Sequence, residues 1–481
     1  MDRRLNRREL IGAGALAAAG SVAGPALAGC DEEDGTTAAA SSRGRVVVLG
    51  GGLAGLTAAW GLERAGFEVQ LIEARDRLGG RVHTIRDFAD EQHGEAGAEA
   101  IDTEQLEIQR LCRRFGLPLE HAYSGYGKRR ATVYRHDRNY LGSDFATPSV
   151  KREMDRFWTA IERLARPLKG TDPTANGGAR QDRYTVADLL DRMRIGDRAR
   201  WLLTNRIEAD YGFPVERLSL LYITISERLA WNQPAAGVER YRIRNGNSTL
   251  VDELTKRLVT PPILNAPATA VRWEDGIEVD TDGEGTVTGD KLVVAAPTFA
   301  LRSIDFSPAL PKREASFIAE IDLCAVAKTL IQYDVRVWRK QGRTGGATTD
   351  LPIGATWETT DQQQGRPGIL IAYTSGRRGE LTATIDSTER TDQAREDIDL
   401  LFPGSKRDAG DTYSVAWRAE PYSGGCWAAY SPGQISKHWM GLHRPTGPIH
   451  WAGEHTELIN GYMNSAVASG MRVTREIGSS A

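Results

Sequence analysis

Gly50, Gly52 and Gly55 stand at G-x-G-x-x-G spacing, and an acid, Glu73, follows about 20 residues on. That combination suits a dinucleotide, because glycine backbone can approach a pyrophosphate closely and a carboxylate can accept a hydrogen bond from a ribose hydroxyl. Far downstream Lys328 heads an apolar run, a place where a charged side chain needs an explanation. No nucleophile–His–acid arrangement points to hydrolysis. No Cys/His cluster has metal-ligand spacing. The four cysteines, Cys30, Cys112, Cys324 and Cys426, are too few and too scattered for a disulfide framework.

The elements that must position these residues are local and regular. A run of β-formers at 46–49 meets the glycine cluster, an Ala- and Leu-rich helix pattern opens at Leu53 and Ala54, and a second strand at 69–72 ends against Glu73. This is a βαβ unit. Gly50 permits the tight turn, Gly52 the approach of a phosphate, and Gly55 the close packing of helix on sheet. The helix N-terminus then offers unpaired N–H groups to the phosphates.

The stretch after the acid, EARDRLGGR with Ala74, Arg75, Gly80 and Arg81, resembles the second half of the FAD fingerprint of the flavin-dependent amine oxidases, a family of monoamine, polyamine and L-amino-acid oxidases. Further stretches extend the likeness from about residue 43 to 477. Gly97-Ala98 sits where the family brings a turn against the flavin, and Ala268 where its backbone meets adenine. WAGEHT carries Glu454, which the resemblance assigns to the ribityl hydroxyls. GYMNSA, with Gly461, Met463 and Ala466, opens a helix whose N-terminus can stabilise negative charge on reduced flavin. The resemblance gives Lys328, ten residues before Trp338, a water-bridged contact to the flavin. It makes Trp427 and Tyr462 the two aromatics that flank the amine, one of them tryptophan where monoamine oxidases use tyrosine. Cys426, in SGGCW, occupies the position of covalent flavin attachment in mitochondrial monoamine oxidases, which makes a thioether to FAD a candidate feature. Two departures stand out. Asn247 replaces a usual glycine, and Gly97-Ala98-Glu99-Ala100 lacks the arginine with which amino-acid oxidases grip a carboxylate. Glu99 instead would either add negative charge and favour a cationic amine or serve a structural salt bridge.

The resemblance implies an α/β fold, with a Rossmann-like FAD-binding domain interleaved with an α+β substrate-binding domain. FAD segments fall at 44–112, 235–300 and 419–481, with a helical substrate part at 113–234 and a sheet part at 301–418. Helix-like periodicity covers 104–116, 151–168 and much of 184–225, and alternation after Lys328 suggests a strand. Trp158, Trp201, Tyr211, Phe213, Tyr222 and Trp231 are candidates to line a cavity, although most such aromatics belong to cores. Residues 1–30 read as a twin-arginine signal, with Arg7-Arg8 before an uncharged Gly/Ala-rich run and a lipobox-like ending at Cys30; 31–43 reads as a linker. The expected location is extracytoplasmic, the membrane being reached through a lipid on Cys30.

A length of 481 residues supports two or three domains, and a net charge of −3 with no basic stripe excludes a nucleic-acid partner. The expected function is FAD-dependent oxidation of a small amine to an imine, with O2 or another acceptor taking the electrons and hydrogen peroxide as the product from O2. The alternative is an L-amino-acid oxidase. Lys328, Trp427 and Tyr462 speak against a desaturase.

Overall fold

The computed structural model describes residues 43–123, 129–169, 171–230 and 239–479. Its organising element is a parallel sheet with strands in the order Glu68–Ile72, Arg45–Leu49, Lys291–Val294 and Ile449–Trp451. Three distant stretches of chain therefore meet in one sheet. Val46, Val47, Val48, Leu292 and Val293 are fully buried, which is why these strands read as unbroken apolar runs. Helix Leu53–Arg64 packs against the terminal helix Met463–Ser479. At Gly470 a Cβ would stand 2.5 Å from the Ala54 carbonyl oxygen, so only glycine lets the two helices approach this far. In the first turn Gly50 holds φ at +107°, and a Cβ on Gly55 would fall 1.9 Å from the Gly50 carbonyl oxygen.

A second sheet has seven strands, in the order Ala409–Ala416, Val326–Tyr333, Gly368–Ser375, Ala355–Glu358, Arg343–Thr349, Arg130–Arg135 and Arg138–Leu141. All eight residues of its lysine-bearing strand are buried. Helix Ser387–Leu401 covers one face, packing Ala394, Ile398 and Leu401 with Ile331, Tyr333 and Leu370. Helices Pro148–Ala165, Val186–Arg192, Asp197–Tyr211 and Leu220–Ala230 form the helical part, with Phe157, Ile161, Leu203, Ile207 and Leu221 in its core. A capping box of Thr185 and Asp188 starts the second of these helices.

Two sequence expectations need correction. The stretch read as largely helical from residue 113 holds strands Leu119–His121, Arg130–Arg135 and Arg138–Leu141, and the last two form a hairpin on the edge of the seven-stranded sheet. Its turn places His136 and Asp137 at φ +52° and +57° without a glycine, so the usual hairpin signal is missing. The strand suggested after Lys328 starts earlier, at Val326, and stops at Tyr333, short of Trp338. Trp338 lies in a single helical turn, Val337–Lys340, fully buried, with its indole N–H donating to Glu358 Oε2 at 2.6 Å. It holds a corner of the core and does not line the cavity described next. Residues 1–42, where the signal and Cys30 fall, lie outside the described residues, as does Trp231.

Candidate active site

A cavity of about 1040 Å³ runs along the ends of the parallel sheet strands and on between the seven-stranded sheet and the helical part. Every residue that the family resemblance assigns to the cofactor or the amine lines it, except Gly55, which is buried in the helix–sheet contact.

At one end Glu73 is almost fully buried and accepts the Gly51 N–H at 2.7 Å and the Arg75 N–H at 2.9 Å. Its nearest partners are thus backbone, with the Arg75 guanidinium 3.8 Å away. Arg75 reaches Ser423 Oγ at 2.9 Å and lies over the Tyr422 ring. Glu454, also buried, is held from three sides, by the Arg81 guanidinium at 2.9 Å, the Gly461 N–H at 2.8 Å and the Ala428 N–H at 3.3 Å. Arg81 also donates to the Cys426 carbonyl. These bonds link the first and last segments. The first turn of the terminal helix faces the cavity, and Asn464 Oδ1 caps the foreign helix Leu106–Arg114 by accepting from Glu107 and Ile108 N–H.

A dinucleotide suits this lining. At Gly52 a Cβ would meet nothing within 4 Å, so the backbone there is open to the cavity, with helix N–H groups on one side and the Glu73 carboxylate on another. The residues present are the right kind for an FAD.

Toward the middle, Lys328 is buried and its ammonium donates to the carbonyls of Glu95 (3.1 Å) and Gly97 (2.9 Å) and to Glu99 Oε2 (3.0 Å). Three acceptors match the three protons of an ammonium. Glu99 also accepts from Trp357 Nε1 at 3.1 Å, Thr359 Oγ1 at 3.1 Å and Arg242 at 3.4 Å, and Arg242 pairs with Asp361 at 2.7 Å. Burial would push the Glu99 carboxyl up, but Lys328 and Arg242 outweigh it and hold it below the usual carboxylate range. Of the two readings of Glu99, added negative charge is therefore corrected and the structural salt bridge is the one found. Two buried cations neutralise it. Asn247, the departure from the usual glycine, explains itself here. Its amide donates to the Ala98 and Glu99 carbonyls at 2.9 and 2.8 Å, and its backbone N–H goes to Glu95 at 2.8 Å. The 95–99 turn is thus pinned from both sides.

At the far end the wall is aromatic. Trp427 lies on Gly461, where a Cβ would stand 3.2 Å from its ring, and so next in the chain to Tyr462. Of the six cavity aromatics suggested by the sequence, Tyr211 and Tyr222 line it; Trp158 and Phe213 are buried outside it, and Trp201 packs on Phe145. Tyr222 donates to Asn460 Oδ1 at 2.7 Å. The sequence reading missed Trp357 and Tyr373. Tyr373 sits directly across from Lys328 in the sheet, its hydroxyl on the Ala209 carbonyl at 3.0 Å. Its apolar strand, GILIAYTS, was the available signal.

Comparison with known proteins agrees with this geometry. The family model for flavin containing amine oxidoreductase matches residues 53–478. The probable flavin-containing monoamine oxidase A of Dictyostelium discoideum is 26% identical over 459 residues, covering 90% of this chain and 97% of that protein. The nicotine dehydrogenase of Pseudomonas putida (strain DSM 28022 / S16) is 28% identical over 486 residues, 98% of this chain and 97% of that protein. The cyclohexylamine oxidase structure from Brevibacterium oxydans IH-35A shares the fold, with a TM-score of 0.81 at 21% identity over 91% of this chain and 99% of that one. A βαβ cradle, a far wall of aromatics and a family match across nearly the whole described chain lead to one conclusion: the protein belongs to the flavin-containing amine oxidoreductase family and is an FAD-dependent oxidoreductase.

Proposed function

We propose that this chain oxidises a small, uncharged-form amine at the carbon bearing nitrogen, giving an imine that water hydrolyses, with dioxygen as the electron acceptor and hydrogen peroxide as co-product. The observation that carries the reading is that Lys328, Trp427 and Tyr462 line the same cavity as the dinucleotide cradle, with an aromatic chamber beyond. FAD, when bound, supplies the two-electron acceptor for the amine C–H. Residues Gly50, Gly52, Glu73, Arg75 and Arg81 would hold its dinucleotide part, and the first turn of helix Met463–Ser479 would favour the negative charge it gains. Trp427 and Tyr462 orient the amine between apolar faces and exclude water. Lys328 fixes the 95–99 turn through its three hydrogen bonds. Cys426, on the cavity wall, is the candidate thiol for a covalent link, and yellow colour retained in acid-precipitated protein would mark that link. The extracytoplasmic location belongs to the same proposal.

The amino-acid oxidase alternative needs a carboxylate grip. Among the described residues, the arginines that line the cavity are Arg75, Arg81 and Arg302. The first two serve the cradle, and Arg302 donates to the carbonyls of Ile318 and Ile321. That favours amines. A second reading concerns the acceptor alone. The relative matching the largest share of this chain among those described is a dehydrogenase, and all three Lys328 protons have protein acceptors.

Anaerobic mixing of the FAD-loaded protein with a panel of amines and L-amino acids tests the substrate class. Bleaching by amines only is expected, and bleaching by amino acids only overturns it. Admitting air then tests the acceptor, since colour that fails to return at the rate of turnover excludes dioxygen.

A further inference from the structure

Cys324 and Cys426 are 102 residues apart in sequence and adjacent in space. The short strands Asp322–Leu323 and Ala428–Ala429 pair antiparallel, with Leu323 opposite Ala428. Just beyond that pair the register slips. The Cys324 N–H donates to the Trp427 carbonyl at 2.9 Å, while the Cys426 N–H donates to the Cys324 carbonyl at 2.9 Å. Two residues, Cys426 and Trp427, thus face one, Cys324, in the manner of a bulge. Directly hydrogen-bonded residues on neighbouring strands have Cα atoms about 5.5 Å apart, within the range of about 4.4–6.8 Å that a disulfide spans. The other side of Cys324 is closed. A Cβ on Gly212 would stand 2.6 Å from its sulfur. Burial, and next the neighbouring Cys426 thiol, push the Cys324 thiol well above the usual thiol range. Cys324 is fully buried, whereas Cys426 lines the cavity and is reachable from it.

We propose that Cys324 and Cys426 form a peroxide-made disulfide in the cavity wall, a modification that removes the thiol on which a flavin link would depend. Cys426 Sγ attacks one peroxide oxygen, the O–O bond breaks, and a sulfenic acid forms with release of water. Cys324 Sγ then displaces the hydroxyl, which leaves as a second water, and the S–S bond closes. In sum two thiols and one hydrogen peroxide give one disulfide and two waters: the sulfurs lose two electrons and the peroxide gains them. The thiol that peroxide can reach leads. That is Cys426 on the cavity wall, since Cys324 is fully buried. An internal source of peroxide rests on dioxygen as the acceptor, but the bridge itself needs only peroxide and the two sulfurs.

The test adds hydrogen peroxide to the purified FAD-loaded protein, alkylates it in denaturant without reductant, and maps peptides by mass. The expected product is a joined pair of peptides holding Cys324 and Cys426, two hydrogens lighter than their sum and separated by reductant, while Cys112, buried elsewhere, is alkylated. In Cys324→Ser the pair disappears and Cys426 carries added oxygen instead. Full alkylation of both cysteines after peroxide overturns the proposal, as does Cys426 recovered wholly as a flavin-bearing peptide. Anaerobic bleaching by amines is read separately, so loss of the disulfide result leaves the amine reading standing.

Discussion

The two ends of the cavity hold their buried charges by different means. At the cradle the Glu73 carboxylate rests on the N–H groups of Gly51 and Arg75, which belong to the backbone, with the Arg75 guanidinium farther off at 3.8 Å. At the centre Lys328, Glu99, Arg242 and Asp361 form a chain of alternating charges that exists only through its side chains. A charge held by backbone tolerates change around it. In a buried chain of ion pairs each member compensates its neighbours, so losing one leaves others unpaired in a low-dielectric interior.

Lys328→Met should have the largest effect. It leaves Arg242 as the one cation on Glu99 and releases one side of the 95–99 turn, so the denaturant midpoint should fall by an amount equivalent to about 3–5 kcal/mol. The rate of anaerobic bleaching should drop about 100-fold as the turn shifts. A variant that unfolds at the wild-type midpoint would dissolve the contrast between the two ends. Glu73→Gln should act more narrowly. One oxygen acceptor survives, so stability should change by no more than about 1–2 kcal/mol, with weaker FAD binding measured by equilibrium dialysis as the main effect. A midpoint loss as large as that of Lys328→Met would show that the backbone cradle is no more tolerant than the ion-pair chain.

The smallest effect is a pH slope at the edge of the lysine cluster. Burial pushes the fully enclosed Glu95 carboxyl up to about 7 from an ordinary value of 4.5. Between these values the folded chain binds the extra proton, so this group makes stability fall as pH rises through the window and then level off above it. Glu95→Gln should remove that slope, read as the difference between variant and wild-type unfolding midpoints from pH 5 to about 8. Parallel curves for the two proteins would mean that Glu95 ionises normally.

The cradle is readable in the sequence because its logic is local. Glycine spacing, a strand on each side and an acid follow within one supersecondary unit, and the demands on each glycine are steric. The lysine centre is only half readable. Lys328 stands out as a charge in an apolar strand, but its partners Glu99, Arg242 and Asp361 are far away in sequence, and only the fold brings them together. For that reason the sequence leaves Glu99 open between added charge and a salt bridge, and only the fold supplies the cations that decide it. Tyr373 faces Lys328 through a strand pairing that no local pattern encodes, and the 130–141 hairpin hides behind a turn of His136 and Asp137.

The four-stranded parallel sheet has a consequence for how the protein comes into being. Its strands begin at residues 45, 68, 291 and 449, so the last one is made about 150 residues after the strand it pairs with and about 400 after the first. Until then Lys291–Val294 has an open edge, and neither Glu454 nor the terminal helix is present to close the cradle. Pairings of such long sequence separation form late and slowly. FAD capture must therefore wait for the segment from Ile449 to Ser479, and a chain stopped short of Ile449 would keep the whole glycine motif yet lack the wall against which a cofactor could be held.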